Sequence, residues 1–240
     1  ERIFEIVNHY NTALPLVTQA GERRLICALN LRAARKAKEA ASFSTALNFF
    51  RTATELFEPD IWEKQHHETA KAYLDLAECE YICGEYEASD RLFALILKKT
   101  DVPEYIAQVY DIRLRQYAQQ GRNKETLQLG ADILKRYGVH FIAEPSLVQI
   151  LPQLASAKLM LQGKDVSAFT DLPKVSVQEK AFAIQTLMNI SATAYVYNSN
   201  TMLLLVIRML QLSVKYGNSA ESAFGYGLFG FVEGAALGNV

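Results

Sequence analysis

Apolar residues recur along most of this chain at intervals of three and four, the spacing that collects them on one face of a helix. Between Ala72 and Leu97 the pattern resolves into two such stripes around a tight turn at Cys83-Gly84-Glu85. Leu76, Ala77 and Glu80 belong to the first helix, and Tyr86, Ser89, Phe93 and Ile96 follow in the second at helical spacing. Upstream, Ile3, Ile6, Val7, Tyr10 and Leu14 predict a helix ending near Pro15. Leu25, Leu29 and Ala33 predict the apolar side of a helix over 22–40, and its partner carries Phe43, Ala46, Phe50 and Ala53, with Pro59 past its end. A long helix over 60–83 is entered by Asp60 with Glu63 three residues on, the spacing of a capping box. Further helices are expected over 85–100, 101–120 and 124–137, the last closed by Gly138. Beyond it come a helix over 146–161 interrupted by Pro152, a short one over 165–171 stopped by Pro173, and one over 177–197 capped by Ser176 with Glu179. Helices over 201–216 and 218–237 complete the chain. No run alternates polar and apolar residues over a convincing length, so the expected fold class is all-α.

Around the Gly84 turn an aromatic is followed by a small residue three positions later and a large apolar one four beyond that. Phe43, Ala46, Phe50 and Ala53 repeat the series, which resembles the tetratricopeptide arrangement. The small residue lets two helices approach closely, and the large ones fill the groove between them. Matching positions after successive turns are Phe43, Tyr86, Asn123, Asp165 and Asn200, with steps of 43, 37, 42 and 35 residues. Tetratricopeptide units repeat at about 34 residues, so these read as longer, drifted relatives. The expectation is one repeat domain over 1–240, built of stacked antiparallel helical hairpins in a right-handed superhelix, more regular over 1–138 than over 139–240. A chain that starts at Glu1 reads as a piece of a larger protein.

Composition narrows the function. Half the residues are hydrophobic and 21% are charged, enough for a real core. Lys plus Arg numbers 25 against 26 for Asp plus Glu, so a basic nucleic-acid face is not expected. Three cysteines, Cys27, Cys79 and Cys83, suit a reducing, cytoplasmic compartment. Cys79 and Cys83 stand four apart and could form a metal pair with His66 and His67, but buried apolar thiols are the expected reading, with neither metal nor cofactor. The most apolar run, 202–212, is broken by Arg208 and too short to cross a bilayer, so no membrane association is expected.

The segments ERIFEIVNHYNT, ERRLICALNLRAARKAKEAASFSTALNFF and LAECEYICGEYEASDRLF, in that order, carry a further resemblance. The chain is similar to the helical-repeat region of very large bacterial signalling proteins. In those, a serine/threonine-kinase-like domain and a STAND-type AAA ATPase precede the repeats, and GAF and histidine-kinase or other output modules commonly follow. The resemblance implies that nucleotide chemistry sits outside this chain, which is then no enzyme itself. The sequence agrees, with no G-x-x-x-x-G-K-[ST] loop, no G-x-G-x-x-G opening a helix and no H-R-D or D-F-G triplet. The Gly-rich tail over 225–238 lacks the Lys of a phosphate loop and reads as close helix packing.

In stacked helical hairpins the first helix of each pair lines the concave, partner-binding face. Counting back from the turns, exposed positions on that face are Arg35 and Lys38, then Lys71, Glu78 and Tyr81, then Gln108, Asp111 and Arg115. Asp111 and Arg115 stand four apart, the spacing of a weak local ion pair. The basic run Arg32, Arg35, Lys36 and Lys38 reads either as a phosphate-binding patch or as a solvated helix face. His9, His66, His67 and His140 lack nearby Ser or Cys partners, and Trp62 reads as a packing plug. Two functions remain: a scaffold for protein–protein or interdomain contacts in a signalling ATPase/kinase, or a sensor binding a small effector in the superhelix groove. The sensor would place its pocket among Tyr195, Tyr197, Phe224 and Tyr226. The helix over 218–237 would lack a return partner, which predicts self-association through it.

Overall fold

The computed structural model describes residues 2–163 and 167–237. Those residues form α-helices with no strand among them, apart from an isolated parallel bridge between Lys174 and Asn218. The chain divides between Arg113 and Leu114 into two compact units.

The first unit opens with α1 (Arg2–Ala13) and a 3₁₀ turn (Leu14–Leu16) holding Pro15. It continues through α2 (Ala20–Glu39), α3 (Phe43–Glu55), α4 (Ile61–Lys64), α5 (His66–Ile82), α6 (Tyr86–Lys99) and the first part of α7 (Pro103–Gln119). The packing runs α1 on α2, α2 on α3, α3 on α5 and α5 on α6, with the short α4 also against α5. The expected small-large series lies in the core: Ala46, Phe50 and Ala53 on α3, and Ser89, Phe93 and Ile96 on α6, are all 0% exposed. Ser89 Oγ donates to the Ala77 carbonyl at 2.9 Å, so the small position seats α6 directly on the α5 backbone.

One turn geometry closes several helices. The N–H of Ser42, Glu85, Arg122 and Val139 reaches back five residues to the carbonyl of Ala37, Glu80, Tyr117 and Leu134, at 2.8–3.0 Å. This bond needs a left-handed residue just before it. Gly84, Gly121 and Gly138 supply it, but after α2 the position is Ala41, at φ 55.

Several expected boundaries and faces differ. The helix expected over 60–83 is two, α4 and α5, broken at Gln65 (φ −139, ψ 53). Asp60 makes no side-chain cap and instead pairs with Lys64 at 2.8 Å. The break lets Trp62 fold back and stack on Tyr73, with centroids 5.5 Å apart and planes at 4°. On α1 the buried residue is Val7, while Ile6 and Tyr10 are exposed. On α2 Leu25 is exposed and the buried arc is Ile26, Asn30, Ala33, Ala34 and Ala37. Asn30 is fully buried because it exchanges amide hydrogen bonds of 2.8 and 2.9 Å with Asn11 on α1.

The second unit contains the rest of α7, then α8 (Asn123–Arg136), α9 (Leu147–Leu161), α10 (Ser167–Thr170), α11 (Gln178–Tyr197), α12 (Ser199–Tyr216) and α13 (Ser222–Leu237). Here α11 packs on both α8 and α12, and α12 also packs on α9 and α13. Seven residues past Asn123, where Phe50 and Phe93 fill their hairpins, the chain has Gly130. Ile190 of α11 occupies the space, its Cγ2 only 2.9 Å from where a Gly130 Cβ would stand.

Pro152 does not interrupt α9, which runs through it and carries a Ser146–Gln149 capping box. Ser176 is not the cap of α11; Val177 holds that position without a side-chain bond. Asn198 caps α12, its side chain accepting from the Asn200 and Thr201 N–H groups. The last helix starts at Ser222 rather than 218, because Asn218 is held in the bridge, its N–H on the Pro173 carbonyl and its carbonyl accepting from Val175. The repeat position at Asp165 and the end of the Gly-rich tail lie outside the described residues.

Candidate interaction face

The residues expected on a binding face fall into different environments. On α5, Tyr81 is only 4% exposed, so it is a core residue and not a face position. It lies in the cluster of Leu74, Ala77, Phe93 and Ile96, because α5 is packed by α2, α3, α4 and α6 and keeps little open surface.

Lys38 and Glu78 are likewise committed inside the first unit. Lys38 Nζ sits 2.5 Å from Asp75 Oδ1 and 2.6 Å from Glu78 Oε2. Lys71, one turn before Asp75, adds a contact of 3.0 Å to the same Oδ1. Burial alone would lower the Lys38 pKa, but the hydrogen bonds to Asp75 and Glu78 prevail and raise it above 10.5. This group ties the end of α2 to α5, and its centre, Asp75, was missed in the sequence. The signal for it was a charge at i+4 from Lys71, set between Leu74 and Leu76 in a run otherwise bound for the core.

A second buried carboxylate, Glu80, takes Arg51 of α3 at 3.3 Å on Oε1, while Oε2 is buried without a partner. Burial pushes its pKa up, only partly opposed by the bond from Arg51.

The more open candidates are Arg35, Lys71, Gln108, Asp111 and Arg115. Arg35 is half-buried and lines a groove of about 560 Å³ with Arg32, Lys36, Glu39 and Glu68. Both signs of charge meet there, as on an ordinary solvated face, which does not favour a phosphate patch. Gln108 and Arg115 are exposed and Asp111 half-buried on α7, with Arg115 beyond the division of the chain.

The cysteines and histidines do not converge. Cys79 is buried, Cys83 exposed and Cys27 half-buried with its Sγ 3.4 Å from the Ala53 carbonyl. Burial pushes the Cys27 thiol up to about 11 and the Cys79 thiol up to about 12. His66 Nε2 lies 2.9 Å from Thr100 Oγ1, and His67 Nδ1 3.3 Å from the Tyr105 hydroxyl. Among the described residues no group of three or more His, Cys, Asp or Glu side chains is placed to hold a metal ion, and no helix is long and apolar enough to cross a membrane.

In the second unit the four aromatics expected around a pocket are dispersed. Tyr195 is 76% exposed, Tyr197 reaches Glu144 at 3.1 Å, and Tyr226 donates to Asn218 Oδ1 at 2.8 Å. None of the four lines a cleft of this unit walled by α9 and α12.

No protein-family profile matches the chain, and no solved structure matches it. The chain is similar to hybrid signal transduction histidine kinase G of Dictyostelium discoideum, 23% identical over 256 residues. The match takes in 96% of this chain and 8% of that protein's length. The likeness is thus to a signalling protein, from Dictyostelium rather than from the bacteria the sequence resemblance had suggested, and it carries no tetratricopeptide or STAND assignment.

Proposed function

We propose that the chain is a non-catalytic helical-repeat segment that makes protein–protein or interdomain contacts within a larger signal-transducing protein. The observation behind this reading is the nearly end-to-end similarity to a small part of a hybrid signal transduction histidine kinase. Helical hairpins of a tetratricopeptide-like kind suit the role, since within a unit each hairpin adds a strip of polar helix surface beside the last. The contact positions are Arg35, Lys71, Gln108 and Asp111 in the first unit and, separately, Arg115 in the second, and the partner is a protein or a neighbouring domain in the cytoplasm. Near-zero net charge argues against nucleic acid as that partner. The test is a calorimetric titration against the ATPase segment expected in the parent chain, with Lys71→Gln and Arg115→Glu combined. Weakened binding by a normally folded double variant is expected, and unchanged affinity would remove this face from the proposal. The sensor reading draws its support from the cleft of the second unit.

A further inference from the structure

The cleft of the second unit has a volume of about 370 Å³ and lies between one face of α9, marked by Gln153, and one face of α12. Arg208, Gln211 and Lys215 follow one another on α12 at helical spacing, and Lys180 of α11, Ser156 of α9 and His140 of the α8–α9 connector add to the polar lining. Three permanent cations therefore face one small space, with no carboxylate among the described residues that line it.

Arg208 is the unusual member. Its Nη1 donates to Gln211 Oε1 at 2.8 Å, while its Nε is buried without any hydrogen-bond partner. Gln211 is held in turn by its Nε2 donating to the Gln153 carbonyl at 3.3 Å, which fixes the guanidinium from behind. A guanidinium carries five N–H donors in a planar fork, and burying one without a carboxylate is costly. Burial correspondingly lowers the Arg208 pKa. The flanking lysines are positioned rather than free-swinging. Lys180 Nζ donates to the Tyr137 carbonyl at 2.6 Å and stands 5.6 Å from the centre of the Tyr216 ring, and Lys215 Nζ stands 5.1 Å from the centre of the same ring. Neither contact neutralises the ammonium charge.

We propose that this cleft binds a small molecule through its phosphate or carboxylate group, seated on the Arg208 guanidinium and flanked by Lys180 and Lys215. The planar fork suits two oxygens of one anion, and the lysines add charge without demanding a fixed geometry. The volume is at the small end for ligand sites, which suits a compact metabolite. Its main walls are the faces of α9 and α12, with residues 138–140 of the connector closing one side, so most of the site is held ready before the ligand arrives. This inference goes beyond the contact role proposed above and does not depend on it.

The test is a titration of the ¹⁵N-labelled chain with inorganic phosphate, pyrophosphate and citrate, followed by NMR at constant ionic strength. Saturable shifts at the amides of His140, Gln211 and Lys215 are expected, with pyrophosphate or citrate binding more tightly than about 1 mM. A response to phosphate and pyrophosphate alone identifies a phosphate group as the determinant, and a response to citrate alone a carboxylate. Arg208→Gln should weaken binding about tenfold or more, and Lys215→Gln, at an exposed position that tolerates change, should weaken it in the same direction. Lys124→Gln on the surface of α8 should leave it unchanged. Shifts that fail to saturate with any of the three anions, or an affinity unaltered by both Arg208→Gln and Lys215→Gln, would overturn the proposal.

Discussion

Lys38 Nζ and Asp75 Oδ1 lie 2.5 Å apart, joining the last turn of α2 to the middle of α5 through a carboxylate whose side chain is only 4% exposed. The two residues are 37 apart in sequence and belong to successive hairpins. The same Oδ1 also receives Lys71, and Lys38 also reaches Glu78, so the pair is the centre of a four-residue ionic group. Such a group contributes to register more than to net stability, because desolvation offsets much of the attraction between the charges.

Removing one partner is a different matter, since the remaining charge stays buried. Lys38→Met leaves Asp75 with Lys71 alone and deprives Glu78 of its cation. A loss of about 2 kcal/mol is expected in urea unfolding followed by circular dichroism. The comparison is Arg24→Met, whose native side chain is 67% exposed in its pair with Glu58 and which should leave the midpoint in place. Equal midpoints for both variants would show that the Lys38 group holds nothing together.

Alkaline pH should weaken the first unit for a reason visible in the same region. Cys27 and Cys79 have pKa values raised from 9.0 to about 11 and about 12, and Lys38 is raised above 10.5. Each folded value exceeds the unfolded one, so each contribution is complete below the unfolded pKa and is lost as pH climbs toward the folded value. Stability should therefore begin to fall near pH 9 through the thiols, and fall further above pH 10.5 through Lys38. Cys79→Ala should flatten the first part of that decline. Thermal melts that do not change between about pH 8 and about pH 10 would contradict the assignment.

How much of this was legible in the sequence depended on how many sides of a helix are covered. On α3 and α6, burial follows a single face, and the series Ala46-Phe50-Ala53 and Ser89-Phe93-Ile96 could be read directly. Around α5 the helices α2, α3, α4 and α6 all pack, and buried residues run from Thr69 to Tyr81 with few gaps. A helix without a clear solvent face gives no phase to count from, which is why Tyr81 was placed outside and Asp75 overlooked. The break at Gln65 was illegible because no Pro or Gly marks it; it accompanies the long-range stacking of Trp62 on Tyr73. Arg208 was visible only as a charge inside an apolar run, and its setting in the cleft emerged from tertiary structure.

Ser89 offers a direct test of the legible part. It is 0% exposed and bonded to the Ala77 carbonyl, so a longer side chain has to push α6 off α5. Ser89→Leu should cost about 2–3 kcal/mol in chemical denaturation, and Ser89→Ala about 1 kcal/mol, the worth of one buried hydrogen bond. A Leu variant as stable as the Ala variant would mean that the two helices do not cross at this position.

At the turn after α2 the expected change is a gain. Ala41 sits at φ 55 where the equivalent turns after α5, α7 and α8 have glycine. A Cβ is disfavoured in that conformation by about 1–2 kcal/mol, partly offset by the greater freedom of glycine in the unfolded chain. Ala41→Gly should raise stability by about 0.5–1 kcal/mol, read as a higher urea midpoint at unchanged slope. A lower midpoint would show that this turn differs from its three counterparts.

Gly217 is the opposite case. Its φ is 106, and a Cβ there would stand 2.5 Å from the Pro173 carbonyl oxygen and 3.0 Å from the Val175 nitrogen. Both obstacles are backbone, so no side chain can rotate away to make room. The same strands of backbone hold Asn218, whose N–H donates to Pro173 at 2.8 Å and whose carbonyl accepts from Val175 at 2.9 Å. The Asn218 side chain continues the junction, with Nδ2 on the Phe169 carbonyl at 2.7 Å and Oδ1 accepting from the Tyr226 hydroxyl. Gly217→Ala therefore strains one residue and pulls apart the ties among α10, the segment before α11, and α13. A cost above about 2 kcal/mol is expected. Hydrogen exchange separates this from a general loss of stability: the amides of Val175 and Asn218 should lose protection first, while those of α6 in the first unit keep theirs. Undiminished protection at Val175 and Asn218 in a folded Gly217→Ala chain would show that the junction does not depend on the close approach at residue 217.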